Sequence, residues 1–370
     1  MLTELHHAGT TYYVIGTAHV SQASVEEVER AIAELQPECV AVELCQTRLD
    51  SLTGVKTYRD LDVVAAVREG RAAFLIVQLA LSAYQRRLGK QLGVKPGAEL
   101  LAGVNAARAK GIPVALIDRD VAITLKRTWA NLGAVKRTLL GASLVVGALR
   151  SSKITQQAVE ELKEKKALSE VLDELAKAMP EVKGPLIDER DQYLASKLVD
   201  AGLGRKKVLA VVGAAHVPGI MRELGKDIDR GALERLPEKK SWWRFAAPLA
   251  IVALTVITRD PLAWLAPVAI ASAISVLVVG GSPFGMVAAA LAQPMAAVVP
   301  GLRADGVVGT AEARWHRPTT ADRDQIGDDT MSLRGFLRNR ATRILVISAA
   351  SSVGRRIGVA IGLVRLCTSL

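Results

Sequence analysis

Apolar positions along the chain follow two patterns, which change over near residue 240. Before it, short apolar runs of strand length alternate with longer stretches of helical period. Residues 11–16 (Thr-Tyr-Tyr-Val-Ile-Gly) read as a first strand that breaks at Gly16. Ser21 or Ser24 then caps a helix through about Leu35, with Glu26 and Glu27 in its first turn. Pro37 ends that connection, and residues 39–44 (Cys-Val-Ala-Val-Glu-Leu) form a second strand. Residues 61–88 and 97–110 read as helices, 113–118 as a third strand and 207–212 as a fourth. Near-continuous Val, Ile and Ala runs alternating with helices predict an α/β fold. Its sheet is mostly parallel and covered by helices, with right-handed crossovers. A helical insertion, about 121–185, separates the third and fourth strands. It holds a charged amphipathic stretch at 154–179 and an apolar stretch at 138–149 that is too short to span a bilayer.

From about 245 to 300 the chain carries almost no charge, and apolar residues run on without alternation. Trp242-Trp243-Arg244 has the make-up of an interfacial belt with a basic anchor. Hydrophobic helices are expected near 245–258, 261–281, 283–301 and 344–364. The middle two are long enough to cross about 30 Å of hydrocarbon, and Gly280-Gly281-Ser282-Pro283 makes a tight hairpin between them. The last is interrupted by Arg355 and Arg356, which suits an interface or a polar cavity. The chain therefore divides into an α/β domain, 1–240, and a helical transmembrane region, 241–370. Segment 302–343 carries eight Arg against six Asp and Glu. It lies outside if 245–258 spans, and returns to the cytoplasmic side if that run only lies in the interface.

Composition agrees with this division. Half of the 370 residues are hydrophobic, yet the formal net charge is +11. Such a balance fits a positive-inside membrane protein. Aromatics make up only 4% of the chain, which leaves too few stacking platforms for single-stranded nucleic acid, so no nucleic-acid partner is expected. The three cysteines, Cys39, Cys45 and Cys367, have no metal-ligand spacing and read as free thiols of a reducing compartment. Residues 1–9 are polar and form no signal peptide. The expected location is the cell membrane, multi-pass, with the N-terminal domain cytoplasmic.

One phrase occurs twice. Val14-Ile-Gly-Thr-Ala-His19-Val and Val211-Val-Gly-Ala-Ala-His216-Val both end an apolar run in Gly-x-Ala-His-Val, and the chain has only five histidines. In a parallel sheet the carboxyl ends of the strands carry functional side chains. Those ends here bear His19, Glu43, Asp118 with Arg119, and His216. Two imidazoles and a carboxylate are the donors of an open divalent site for zinc, manganese or cobalt, with His19, His216 and Glu43 as ligands. Arg119 could then stabilise an oxyanion or clamp a carboxylate. The plainer reading makes each histidine a satisfied turn residue and Glu43 with Arg119 a buried ion pair. A second polar cluster, Asp188-Glu189-Arg190-Asp191, is either a solvated helix start or a further part of the rim, with Glu189 as acid/base and Arg190 as anion holder.

These residues together resemble the TraB/PrgY family, related to the TIKI-type proteases with paired Gly-x-x-His motifs. The resemblance rests on Gly16-Thr-Ala-His19, on Val42-Glu43-Leu44 with Arg48, and on residues 85–97. It continues through Asp118-Arg119-Asp120, Asp188-Glu189-Arg190-Asp191 and Gly213-Ala-Ala-His216. Gly335-Phe-Leu-Arg-Asn-Arg340 and the apolar end are similar to the membrane-bound prokaryotic branch. The resemblance implies metal-dependent hydrolase or peptidase chemistry at the membrane, directed at signalling peptides such as pheromones. On that basis Glu43 or Glu189 moves the proton, while Arg119 and Arg190 neutralise developing charge. The alternative is a membrane protein that binds or sequesters the peptide without cutting it. The partners expected are a lipid bilayer, a peptide and, for assembly, further copies of the chain.

Overall fold

The computed structural model describes residues 2–17, 22–54, 61–92, 97–133, 136, 180–236 and 245–369. The chain divides into two compact units, one of residues 1–56, 85–139 and 152–239, the other of 57–84, 140–151 and 240–370.

The first unit is built on a five-stranded sheet: β1 (Leu2–His7), β2 (Thr10–Thr17), β3 (Cys39–Val42), β4 (Val114–Leu116) and β5 (Lys207–Gly213), in the order β1-β2-β5-β3-β4. Four of these are the expected strands, and every pairing among them is parallel. The N-terminal strand β1 was not expected. It pairs antiparallel with β2 through a two-residue turn at Ala8 and Gly9, whose φ values of 49° and 81° bend the chain back as a tight hairpin requires. Its side chains alternate between exposed and half-buried, which is the mark of an edge strand.

β5 lies at the centre and its alternation fills both faces. Leu209 and Val211 join Val28, Ile32, Leu100 and Val104 on one side, beneath helices Gln22–Leu35 and Ala98–Ala109. Val208, Ala210 and Val212 meet Leu194 and Leu198 on the other, from helix Glu189–Gly202. Burial on both faces explains why β3 and β5 carry almost unbroken apolar runs. Of the expected insertion, helix Val121–Asn131 and the stretch from Pro180 are described. The readings at 138–149 and 154–179 lie outside the described residues.

The second unit is helical. Helices Val63–Arg68 and Ala304–Trp315 pack together, and residues Val67, Leu75, Phe336 and Leu345 share one core. Among the described residues one helix, Arg340–Thr368, is long and apolar enough to cross a membrane by length and composition. The runs expected to span at 261–281 and 283–301 form shorter helices, Leu262–Val278 of 17 residues and Pro283–Val298 of 16, each containing a proline. The chain leaves the first at Gly280, whose φ is 79°. The run at 245–258 forms a 13-residue helix, Ala246–Thr258. Gly354, Gly358 and Gly362 bring the long helix against Leu262–Val278 so closely that a methyl on Gly358 would stand 2.4 Å from Val268 Cα. Such spacing of small residues is how apolar helices pack without large side chains.

Candidate functional site

Pairing in the sheet brings the strand parts of the two repeated phrases, 14–17 and 210–213, side by side. β2 and β5 are parallel neighbours, with Gly16 opposite Val212 and Thr17 opposite Gly213. A Cβ on Gly16 would meet Val217 Cγ2 at 2.9 Å and Ala214 Cα at 3.0 Å, so the glycine of the first phrase is the space into which the second one folds. His19 lies outside the described residues. His216 closes a short 3₁₀ turn after β5 and is 6% exposed.

Both ring nitrogens of His216 face carboxylates. Nδ1 is 2.6 Å from Asp191 Oδ1, and Nε2 is 3.6 Å from Glu43 Oε1. Asp191 is buried on helix Glu189–Gly202, and Arg222 Nη2 lies 3.7 Å from its second oxygen. Burial pushes the Asp191 carboxyl up, and the His216 hydrogen bond opposes that rise. Gly219 makes room for the contact. A Cβ there would sit 1.8 Å from Asp191 Oδ2.

Glu43 follows β3 at 2% exposure. Its Oε2 accepts from the Gly213 amide at 2.6 Å and its Oε1 from Arg190 Nη2 at 2.5 Å. Arg190 also donates to both oxygens of Asp118, at 3.2 and 2.8 Å, so one guanidinium bridges the ends of β3 and β4. Burial works against its charge, but Asp118 and Glu43 outweigh that and hold its pKa above the ordinary value.

Arg119 does not pair with Glu43 as the plainer reading of the sequence has it. Its guanidinium turns toward Glu189 at 2.9 Å, Thr124 at 3.0 Å, and the carbonyls of Leu233 and Pro185. The side chain is 1% exposed, and these acceptors satisfy it where water cannot. Glu189 takes a second, two-pronged pair from Arg127, at 2.6 and 2.8 Å. Burial alone would raise the Glu189 carboxyl, yet Arg127 and Arg119 together hold it below its ordinary range.

Glu189, Arg190 and Asp191 are consecutive in the first turn of one helix. Successive side chains there fan out by about 100°. One turn therefore sends Glu189 to Arg119 and Arg127, Arg190 to Glu43 and Asp118, and Asp191 to His216. A π turn, Gly184–Asp188, leads into it, a distortion common at functional positions. The rim thus gathers Glu43, Asp118, Arg119, Glu189, Arg190 and His216. Asp191 and Arg127 complete it, though the sequence assigned neither a role. Asp191 stood in the acidic cluster, whereas Arg127 carries no motif and only its fold position reveals it.

Could a divalent ion sit here? Ligands about 2.1 Å from one ion lie roughly 3–3.5 Å apart. His216 Nε2 and Glu43 Oε1, at 3.6 Å, are close to that spacing, and the Asp191 contact on Nδ1 is the usual support for a metal-binding imidazole. They fit as two of the donors. Among the described residues no group of three His, Cys, Asp or Glu side chains has metal-holding geometry.

Residues 1–231 match the TraB/PrgY/gumN family, and residues 244–370 match the TraB family protein C-terminal domain. An uncharacterized protein of Methanocaldococcus jannaschii is 29% identical over 372 residues, covering 94% of this chain and 92% of its own. TraB domain-containing proteins of Bos taurus and Homo sapiens are each 30% identical over 253 residues, 62% of this chain and 66% of theirs. The chain belongs to the TraB/PrgY/gumN family.

Proposed function

We propose that this member of the TraB/PrgY/gumN family is a membrane-anchored, metal-dependent hydrolase that cleaves a peptide, with signalling peptides as its substrate class. The observation that carries the reading is His216, held on Nδ1 by buried Asp191 and turned on Nε2 toward Glu43. In this reading His216 and Glu43 hold a zinc, manganese or cobalt ion together with His19. A bound ion supplies an acidified water and a Lewis acid for the scissile carbonyl. In this reading Asp191 fixes the Nδ1–H tautomer and leaves the Nε2 lone pair on the side of Glu43. Glu43, whose carboxylate accepts from Arg190 and the Gly213 amide, takes the proton and returns it to the leaving amine in this reading. Arg190, bonded to Glu43, balances charge that develops on the substrate oxygen in this reading. Arg119, Glu189 and Arg127, which pair with one another, position the helix turn in this reading. The anchor is the C-terminal helical region, multi-pass in this proposal, with the N-terminal domain on the cytoplasmic side.

A second reading, a peptide-binding protein without turnover, draws on Glu43 itself, since both its oxygens already have donors. Metal titration of the full-length protein by calorimetry tests the first reading. One divalent ion should bind, and His216→Ala should abolish binding. Asp191→Asn should weaken it by about 10–100-fold. No binding by the native protein, or unchanged binding in His216→Ala, would remove the metal from the mechanism.

A further inference from the structure

The helical unit holds a group of arginines that the proposed hydrolysis does not use. One face of helix Ala304–Trp315, with its N-cap Arg303, presents residues 303, 306, 307, 310, 311 and 314 at helical spacing. With Arg68 this face lines an open recess of about 480 Å³. Arg68, Arg303 and Arg314 all border it, and among the described residues no carboxylate does.

Among the described residues none of the three makes an ion pair. Arg68 donates only a long hydrogen bond, 3.4 Å, to Thr310 Oγ1. Elsewhere the protein's arginines take acids readily. Arg71 pairs with Glu69 at 2.6 Å, and an adjoining cavity that shares Arg303 also contains Glu69 and Asp305. Three like charges around one recess repel one another unless an anion sits between them.

Small residues fix this clustering. A Cβ on Gly306 would come 3.2 Å from Arg68 Cα, and one on Gly309 would come 2.2 Å from Val67 Cγ1. These two glycines let helix Val63–Arg68 approach until Arg68 stands beside Arg303 and Arg314. The backbone is therefore committed to holding the three charges together. The rest of the lining is apolar or small, and exposed Val307 lies among the arginines.

We propose that this recess binds a phosphate group, with Arg68, Arg303 and Arg314 as its donors. Planar guanidinium groups match phosphate oxygens two at a time, and three of them suit an oxygen-rich anion better than a single carboxylate. An apolar floor beside the charges fits the phosphate of an anionic phospholipid, whose acyl chain would lie along Val307. A soluble phosphate offers the same oxygens without that contact.

The test uses the full-length protein in detergent, given phosphatidylglycerol, phosphatidylcholine or inorganic phosphate in separate arms. Lipid retention is read by native mass spectrometry, and the thermal midpoint by scanning fluorimetry. Phosphatidylglycerol should be retained in preference to phosphatidylcholine. Arg68→Gln, Arg303→Gln and Arg314→Gln should each weaken retention by roughly fivefold. Arg71→Gln, whose arginine already has an acid partner, should leave it unchanged. If inorganic phosphate alone raises the midpoint, phosphatidylglycerol does not, and the three substitutions remove the rise, the site holds a soluble phosphate and its chemistry stands. Equal retention of both lipids with no response to inorganic phosphate overturns the proposal. So does binding that the three substitutions leave intact while the unliganded variants melt normally.

Discussion

The two units handle buried polarity in opposite ways. In the sheet unit, charged side chains gather at the strand ends and are matched one against another. Arg190 bridges Glu43 and Asp118, Glu189 serves Arg119 and Arg127, and Asp191 holds His216. In the helical unit closeness comes from glycine, and the buried polar side chains are mostly uncharged, as where Gln293 donates to Ser351 at 2.8 Å. Its buried carboxylate, Glu312, accepts from the amide and hydroxyl of Ser282 and faces His316 Nδ1 at 2.7 Å. A parallel sheet buried on both faces leaves its strand ends as the place where ionisable groups can meet. Apolar helices have no such edge, so they gain contact by removing side chains.

The largest expected effect comes from unbalancing the sheet unit. Glu189→Gln would leave buried Arg119 without its counter-charge and should cost about 3–5 kcal/mol in urea unfolding. The same variant has a pH signature. Because the folded-state pKa of Glu189 lies below its ordinary value of 4.5, its stabilisation is present above that value. It is lost as pH falls through the lowered one. The native protein should therefore shed stability over that acid window, and Glu189→Gln should shed less.

Gly358→Ala is the matching break in the helical unit. A methyl 2.4 Å from Val268 Cα meets backbone, which cannot swing aside, so a loss of about 1–3 kcal/mol is expected in thermal unfolding. Gly219→Ala sharpens the contrast, because the group it would strike is a site carboxylate, Asp191 Oδ2 at 1.8 Å. That substitution should act on function more than on fold. Metal affinity should fall by about 10–100-fold, as in Asp191→Asn. The smallest change is expected for Glu312→Gln, which keeps one acceptor for Ser282 and should cost about 1 kcal/mol. A loss for Glu312→Gln equal to that for Glu189→Gln would erase the difference between the units.

Much of the sheet was legible because four strands are buried on both faces and carry unbroken apolar runs. β1 was missed for the opposite reason. As an edge strand it alternates Leu-Thr-Glu-Leu-His-His, and its pairing depends on the turn at Ala8 and Gly9 rather than on hydrophobicity. The rim residues were legible by position, since strand ends in a parallel sheet face one edge. Their pairing was not. Arg119 and Arg190 are alike in sequence terms, and only the turn of helix Glu189–Gly202 decides which arginine reaches Glu43. The helices at 262–278 and 283–298 fall short of the expected spans because hydropathy records composition, whereas Gly280 and Val299 mark where the helical backbone stops.

The central claim is that the His216 rim performs hydrolysis. Its most direct measurement is mass spectrometry of a defined peptide mixture incubated with the full-length protein and each of zinc, manganese and cobalt. The expected result is metal-dependent cleavage that disappears in His216→Ala while the variant retains its thermal midpoint. Peptides left intact by the native protein under all three metals, or cut equally well by His216→Ala, would contradict it.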